Sequence, residues 1–207
     1  MKFTTSFLLL FPFTLLAQSQ IERDVFPFKE VIVSEGIDLV LKQGDRPGLR
    51  ISYAGIKPEA ISIDNQHKTL SISLEGCPER CLEEAAKAYR NSQVTAYVTF
   101  TSLSKLVVYG SNEVIGQSPI TSRKFVLESF GENRIFLPEV KARKFNLNLY
   151  GENEVIIDHG EVSVYRLKEY GDNSINTWRI QSDKVKVVPW LIVEGVTRNP
   201  KELSSYH

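Results

Sequence analysis

The chain has 207 residues, 25 Lys and Arg against 25 Asp and Glu, and an apolar fraction of 42%, a balance that excludes a disordered chain and a disulfide-rich scaffold. A formal charge of zero and the lack of any basic run remove the electrostatic term on which nucleic-acid binding depends. One domain is the expectation at this length.

The N-terminus opens with Lys2, continues through the apolar run from Phe7 to Phe13, and reaches Leu15-Leu16-Ala17 before the polar Gln18-Ser19-Gln20. Charged start, short apolar middle and small residue at the cut form the layout of a secretory signal peptide, so residues 1–17 are expected to be a leader and 18–24 a linker. The run is broken by Pro12 and falls short of the ~20 residues of a spanning helix, so no transmembrane span is expected once the leader is removed. No Cys follows the run, which argues against a bacterial lipid anchor. An exported protein is expected, in the periplasm, on the outer-membrane surface or secreted.

From Val25 to Phe100 the pattern reads as strands, among them 30–33, 37–41, 49–53, 69–74 and 94–100, with turn signals such as Gly44-Asp45-Arg46-Pro47-Gly48 between them. One segment differs. After Pro78, the residues Leu82, Ala85, Ala86 and Tyr89 stand at i, i+3, i+4 and i+7, predicting one short amphipathic helix that covers an end of the sheet core or docks a partner. Beside it lie the two thiols, Cys77 and Cys81. In an oxidising compartment a local disulfide is the favoured reading over an inert pair, since a turn-like backbone permits it. His67, His159 and His207 show no ligand spacing to these cysteines, so no metal site and no cofactor are expected.

The second half is a repeat. Tyr109-Gly110-Ser111-Asn112-Glu113-Val114 returns as Phe130-Gly131-Glu132-Asn133-Arg134-Ile135, as Tyr150-Gly151-Glu152-Asn153-Glu154-Val155 and as Tyr170-Gly171-Asp172-Asn173-Ser174-Ile175. The glycines thus recur at a nearly constant period of about 20 residues, the mark of a stacked architecture. Leu106, Leu127, Leu147 and Leu167 stand four positions before each glycine, and Val114, Ile135, Val155 and Ile175 four after it. Alternation around a Gly-Asx turn describes half-buried strands. A turn of about 20 residues at ~3.3 Å each is roughly 66 Å of path, enough to wrap about three short faces, so successive turns stack as a parallel β-solenoid. The Leu and Asn pattern of leucine-rich repeats is absent.

Stacking turns every repeated residue into a column. Asn112, Asn133, Asn153 and Asn173 are expected to form an amide ladder, and Gly110, Gly131, Gly151 and Gly171 a bend that a side chain would obstruct. Tyr109, Phe130, Tyr150 and Tyr170 should face outward, either as an aromatic ladder that stiffens one edge or as a platform for a sugar ring or a partner protein. Glu132, Glu152 and Asp172 would repel one another, which raises Ca²⁺ as an option; Arg134 offers local compensation and the calcium-binding nonapeptide is absent. Val185, Val187, Leu191 and Val193 suggest one further turn, and 199–207 a polar tail.

These features resemble the bacterial head GIN domain family of auto-transporter adhesins. The leader, the opening run Phe28-Lys29-Glu30-Val31-Ile32-Val33-Ser34-Glu35-Gly36-Ile37-Asp38-Leu39-Val40-Leu41 and the Gly-centred turns carry the resemblance, which extends from about Val25 to Pro200. It implies a right-handed β-helix over residues 25–198, export, and no enzymatic activity. The family's turns place small residues around the glycine, whereas this chain has an aromatic before it and an Asn two positions after it, and adds the Cys-containing helix. The expected function is a non-catalytic binding or adhesion module of the cell envelope, with a glycan or surface protein as partner. A self-associating structural solenoid is the alternative. A polysaccharide-cleaving enzyme is a weaker one, because acids and bases do not converge in the sequence.

Overall fold

A computed structural model describes residues 19–77, 81 and 83–189. The expected leader (1–17), the tail (199–207), Leu191 and Val193 of the further turn, and Leu82 of the helix pattern lie outside the described residues. In chain order the elements are β1 (Ser19–Arg23), β2 (Glu30–Val33), β3 (Asp38–Gln43), β4 (Gly48–Ala54), a 3-10 turn at Pro58–Ala60, β5 (Ile61–Gln66), β6 (Thr69–Leu74), α1 (Glu83–Tyr89), β7 (Gln93–Phe100), β8 (Lys105–Gly110), β9 (Glu113–Gly116), β10 (Ile120–Gly131), β11 (Arg134–Gly151), β12 (Glu154–Tyr170), β13 (Ser174–Asn176) and β14 (Ile180–Pro189).

The solenoid follows from the parallel registers. β11 pairs β12 at one constant sequence offset, from Arg134↔Glu154 to Tyr150↔Tyr170. An 18-residue strand whose residues pair with the next turn cannot be straight, and the burial pattern shows where it bends. Inward residues run Ile135 and Leu137, then Val140 and Ala142, then Phe145, Leu147 and Leu149. The inward parity changes near Pro138 and again near Arg143, where the pairing with β12 is interrupted. Each change marks a corner, since alternation within a flat run fixes which face a residue takes. With the Gly-Asx turn as the third corner, a turn has three short faces around a filled core.

One face carries β6, β2, β8 and the C-terminal parts of β10, β11, β12 and β14 in parallel order. A second carries β7, β3, β9, the start of β11, the start of β12, and β13. The first turn is β2 and β3. Residues 44–104 then form an insertion that extends both faces at the N-terminal end, and here the architecture departs from a purely parallel solenoid. β4 pairs antiparallel with β7 and β1 with β4, while β5 and β6 form a hairpin. The hairpin turn holds His67 and Lys68 at φ 50° and 66°, the left-handed geometry that a two-residue connection needs to match strand twist. The segment expected as a linker therefore contributes β1, whose Ile21 packs on the core and whose backbone satisfies the otherwise open edge of β4.

The helix forms, but its pattern is only partly used: Ala85 and Tyr89 pack against the core while Ala86 is exposed. Its anchor is the disulfide between Cys77 and Cys81. Cys77 is buried, and the Cys81 N–H donates to Glu35 Oε2 at 2.8 Å, tying the insertion to the first turn.

Inside the core, Phe125, Phe145 and Tyr165 stack with centroids 5.6 and 5.4 Å apart and planes within 10°. Burial pushes the Tyr165 phenol up to about 12, against a smaller opposing effect of the Thr177 side chain, and its hydroxyl closes no hydrogen bond among the described residues. Val185 is the next residue in this column by register and is 58% exposed, because β14 is the last described strand on that face.

The glycine column is the tightest constraint. Gly131 and Gly151 have φ of 109° and 111°, and a Cβ on either would collide with the carbonyl of the glycine one turn earlier. Gly151→Ala is expected to destabilise the fold by at least about 2 kcal/mol in urea denaturation, because strain and overlap act together. Gly48→Ala, where a Cβ meets Thr99 at 3.8 Å, is expected to change it by less than about 0.5 kcal/mol.

Candidate functional site

The corner formed by the repeated turn gathers most of the residues singled out in the sequence. Its backbone explains the asparagines. The left-handed glycine turns the next peptides so that one N–H per turn points along the axis toward the following turn, where no strand carbonyl meets it. The Asn side chain supplies the acceptor. Asn112 N–H donates to Asn133 Oδ1 at 3.1 Å, Asn133 N–H to Asn153 Oδ1 at 3.3 Å, and Asn153 N–H to Asn173 Oδ1 at 3.1 Å. Each Asn also donates through Nδ2 to the carbonyl of its own turn's aromatic, at 2.7 to 3.3 Å. The column starts at Ile37, whose N–H donates to Asn112 Oδ1 at 3.0 Å. Asn112, Asn133 and Asn153 are buried, so these bonds replace water that cannot reach the groups. Ser129 joins the network by donating to Asn153 Oδ1 at 2.6 Å.

The aromatics lie on the outer side of the same corner. Tyr109 and Phe130 stack with centroids 5.0 Å apart, and Phe130 and Tyr150 at 4.7 Å with planes within 3°. Tyr170 follows Tyr150 in register. Exposure grows along the column: Tyr109 and Phe130 are half-buried, Tyr150 is 38% exposed and Tyr170 55%. Stacked rings cover one another's faces, so Phe130 between its two neighbours offers solvent its edge, and exposure rises toward the Tyr170 end. The structure thus brings the four aromatics together and restricts where they can meet a ligand.

The acidic column Glu132, Glu152 and Asp172 borders a shallow groove shared with Asp38, Glu113 and Glu154. Arg134 does not compensate the acids beside it in the turn, as expected from sequence; its Nε is 2.8 Å from Glu154 in the neighbouring column, where Glu113, Arg134 and Glu154 alternate in sign. No group of three or more His, Cys, Asp and Glu converges as a metal site among the described residues. A second alternating column holds Lys105 between Glu30 and Glu128, at 3.4 and 3.1 Å. Burial acts to lower the Lys105 ammonium, but the Glu128 hydrogen bond and the two carboxylate charges outweigh it and hold its pKa above the ordinary value.

Residues 27–190 match the family model described as "Putative auto-transporter adhesin, head GIN domain". The chain belongs to the head GIN domain family. Solved structures similar to this head GIN chain include a putative adhesin from Parabacteroides merdae, at 12% identity and TM-score 0.58 over 83% of this chain and 77% of that one. A putative adhesin from Parabacteroides distasonis gives 12% identity and TM-score 0.54, covering 83% and 78%. A protein of the same species described as a putative lipid binding protein gives 16% identity and TM-score 0.53 over 83% and 78%. At these identities the likeness is one of fold. A comparison with curated proteins finds no match. The head GIN description suggests an adhesion-like role and an extracellular or envelope setting, and none of the described helices is long and apolar enough to cross a membrane.

Two features of this head GIN corner escape a sequence reading. The part played by Ser129 has no repeated signal, and the first turn substitutes Ile37 for Asn, so the ladder's start is visible only in space. Asn153→Ala is expected to lower stability by about 2 kcal/mol, since it strands the buried Asn133 N–H. Asn173→Ala, at the more exposed end, is expected to cost less than half as much; chemical denaturation of the two variants checks the order.

Proposed function

We propose that this chain is an exported, non-catalytic binding module of the cell envelope that engages glycans or surface proteins through the open end of its aromatic column. The arrangement of domains belonging to this proposal is a leader at 1–17, a solenoid at 25–198 and a polar tail at 199–207. The observation that carries it is the graded exposure of one aromatic column, with Tyr109, Phe130 and Tyr150 stacked and Tyr170 following in register, on a corner held by the asparagine hydrogen bonds. A platform fixed in advance loses little conformational entropy on binding, which is why rigid aromatic groups dominate recognition surfaces. The family's adhesin description supports the same reading.

The test uses immobilised neutral and uronate-containing polysaccharides together with whole envelope preparations. Tyr150→Ala combined with Tyr170→Ala is expected to weaken retention at least about 30-fold, the loss of roughly 2 kcal/mol typical of an aromatic anchor. Retention equal to that of the unaltered protein would show that the strip is not the binding surface.

A further inference from the structure

The second face carries an outward row that no repeat announces. Strand register aligns Tyr97, Val40, Ile115, Phe136 and Ile156 side by side across β7, β3, β9, β11 and β12. All five point away from the core, because their neighbours Leu39, Leu41, Val98, Val114, Ile135 and Val155 are buried. Ile115 is 37% and Phe136 40% exposed, and Tyr97, Val40 and Ile156 are half-buried. The row crosses four strand spacings of ~4.8 Å, a length of roughly 19 Å. On one flank Arg134 is paired with Glu154 at 2.8 Å; on the other Arg179 holds Asp158 at 3.0 Å and lies 4.4 Å over the ring of the exposed Trp178. The first flank also holds Asp38 and Glu113 in the column of Arg134 and Glu154 and so keeps an excess of negative charge, whereas the second is neutralised at Asp158 and Arg179; an apolar lane runs between these two polar rims.

The lane runs into a cleft of about 660 Å³ lined by Arg23, Lys42, Arg50, Tyr97, Glu22 and Asp24, among others. Arg50 is the next residue of the row beyond Tyr97, and its guanidinium lies 4.1 Å over the Tyr97 ring. Among the described residues Arg23 and Lys42 have no ion pair, and Arg50 is held by the Tyr97 ring alone. Three cations against two acids leave one positive charge of excess in the cleft.

We propose that this lane and cleft bind a single-chain amphiphile with one negative charge, a fatty carboxylate: the head between Arg50 and Lys42, the chain along Val40, Ile115, Phe136 and Ile156. Width decides against a protein partner. Five side chains, none exposed beyond about half of the 150–250 Å² that even an aromatic can bury, offer roughly 200–400 Å², well below the ~800 Å² per partner of a stable protein interface. A lane one side chain wide fits an extended acyl chain. Glu22 and Asp24 would repel a second negative charge, which favours a carboxylate over a doubly charged head. This site lies on a different face from the aromatic column and does not depend on its role.

The test is a fluorescence titration of the whole chain with cis-parinarate, kept below the concentration at which the probe self-associates. Saturable one-to-one binding, displaced by palmitate and at least tenfold less well by hexadecyltrimethylammonium, is expected. Phe136→Gln and, separately, Ile115→Gln should each weaken the probe at least fivefold with the thermal midpoint unchanged. Arg50→Gln with Lys42→Gln should remove the preference for the anion while retaining displacement by hexadecanol. Tyr150→Ala with Tyr170→Ala should leave the titration unaltered, so that loss of envelope binding and loss of amphiphile binding are separate results. Absence of saturable binding, equal displacement by the cationic amphiphile, affinity unaffected by both lane variants, or a probe signal that appears only as the protein dimerises in sedimentation would each overturn the proposal.

Discussion

Axial repetition at the strand spacing is the constraint from which the rest of this structure follows. A residue in one turn sits about 4.8 Å from its counterparts above and below, so whatever occurs once in the repeat must tolerate copies of itself. Aromatic rings solve this by stacking, both outside at Tyr109, Phe130 and Tyr150 and inside at Phe125, Phe145 and Tyr165. One charged column solves it by alternating sign, Glu113, Arg134 and Glu154, while the all-acidic column Glu132, Glu152 and Asp172 lies exposed to solvent. Asn solves the hardest case, the corner itself, because its amide both accepts the axial N–H of the turn before and donates to its own turn's carbonyl. Glycine makes that corner possible and leaves no room for anything else.

How much of this is legible in the sequence depends on whether a residue belongs to the repeat. The columns of Gly, Asn and outer aromatics stand out because their neighbours in space recur once per turn, and the single disulfide stands out because the two thiols lie close together in the chain. The inner aromatic column has the same period in Phe125, Phe145 and Tyr165 but lacks a glycine beside it to draw the eye. The outer lane is of another kind. Val40 and Ile115 are separated by the whole insertion, and Tyr97 enters between β3 and β4 from within it; nothing local in the sequence encodes that alignment. The antiparallel strands at the N-terminal end are hidden for the same reason, since the partners β4 and β7 are separated in the chain by residues 55–92.

These two kinds of information divide the functional reading. The repeat builds a stiff scaffold with an aromatic column whose exposure rises toward one end. The insertion, which breaks the repeat, gathers Arg23, Lys42, Arg50 and Tyr97 around a cleft on another face. Regular elements of a solenoid are held by their neighbours on both sides, whereas departures from the period are where a stacked fold can acquire a specific surface. Membership of the head GIN domain family fixes the scaffold.

The central claim is that side-chain amides of the asparagine ladder hold the turn backbone as firmly as the strands. Amide hydrogen exchange followed residue by residue by NMR tests it directly. The account predicts that the N–H groups of Asn112, Asn133 and Asn153 exchange as slowly as those of Leu127 and Leu147 in the adjoining strands. Exchange of those asparagine amides at the rate of the exposed turn at 44–48 would contradict it.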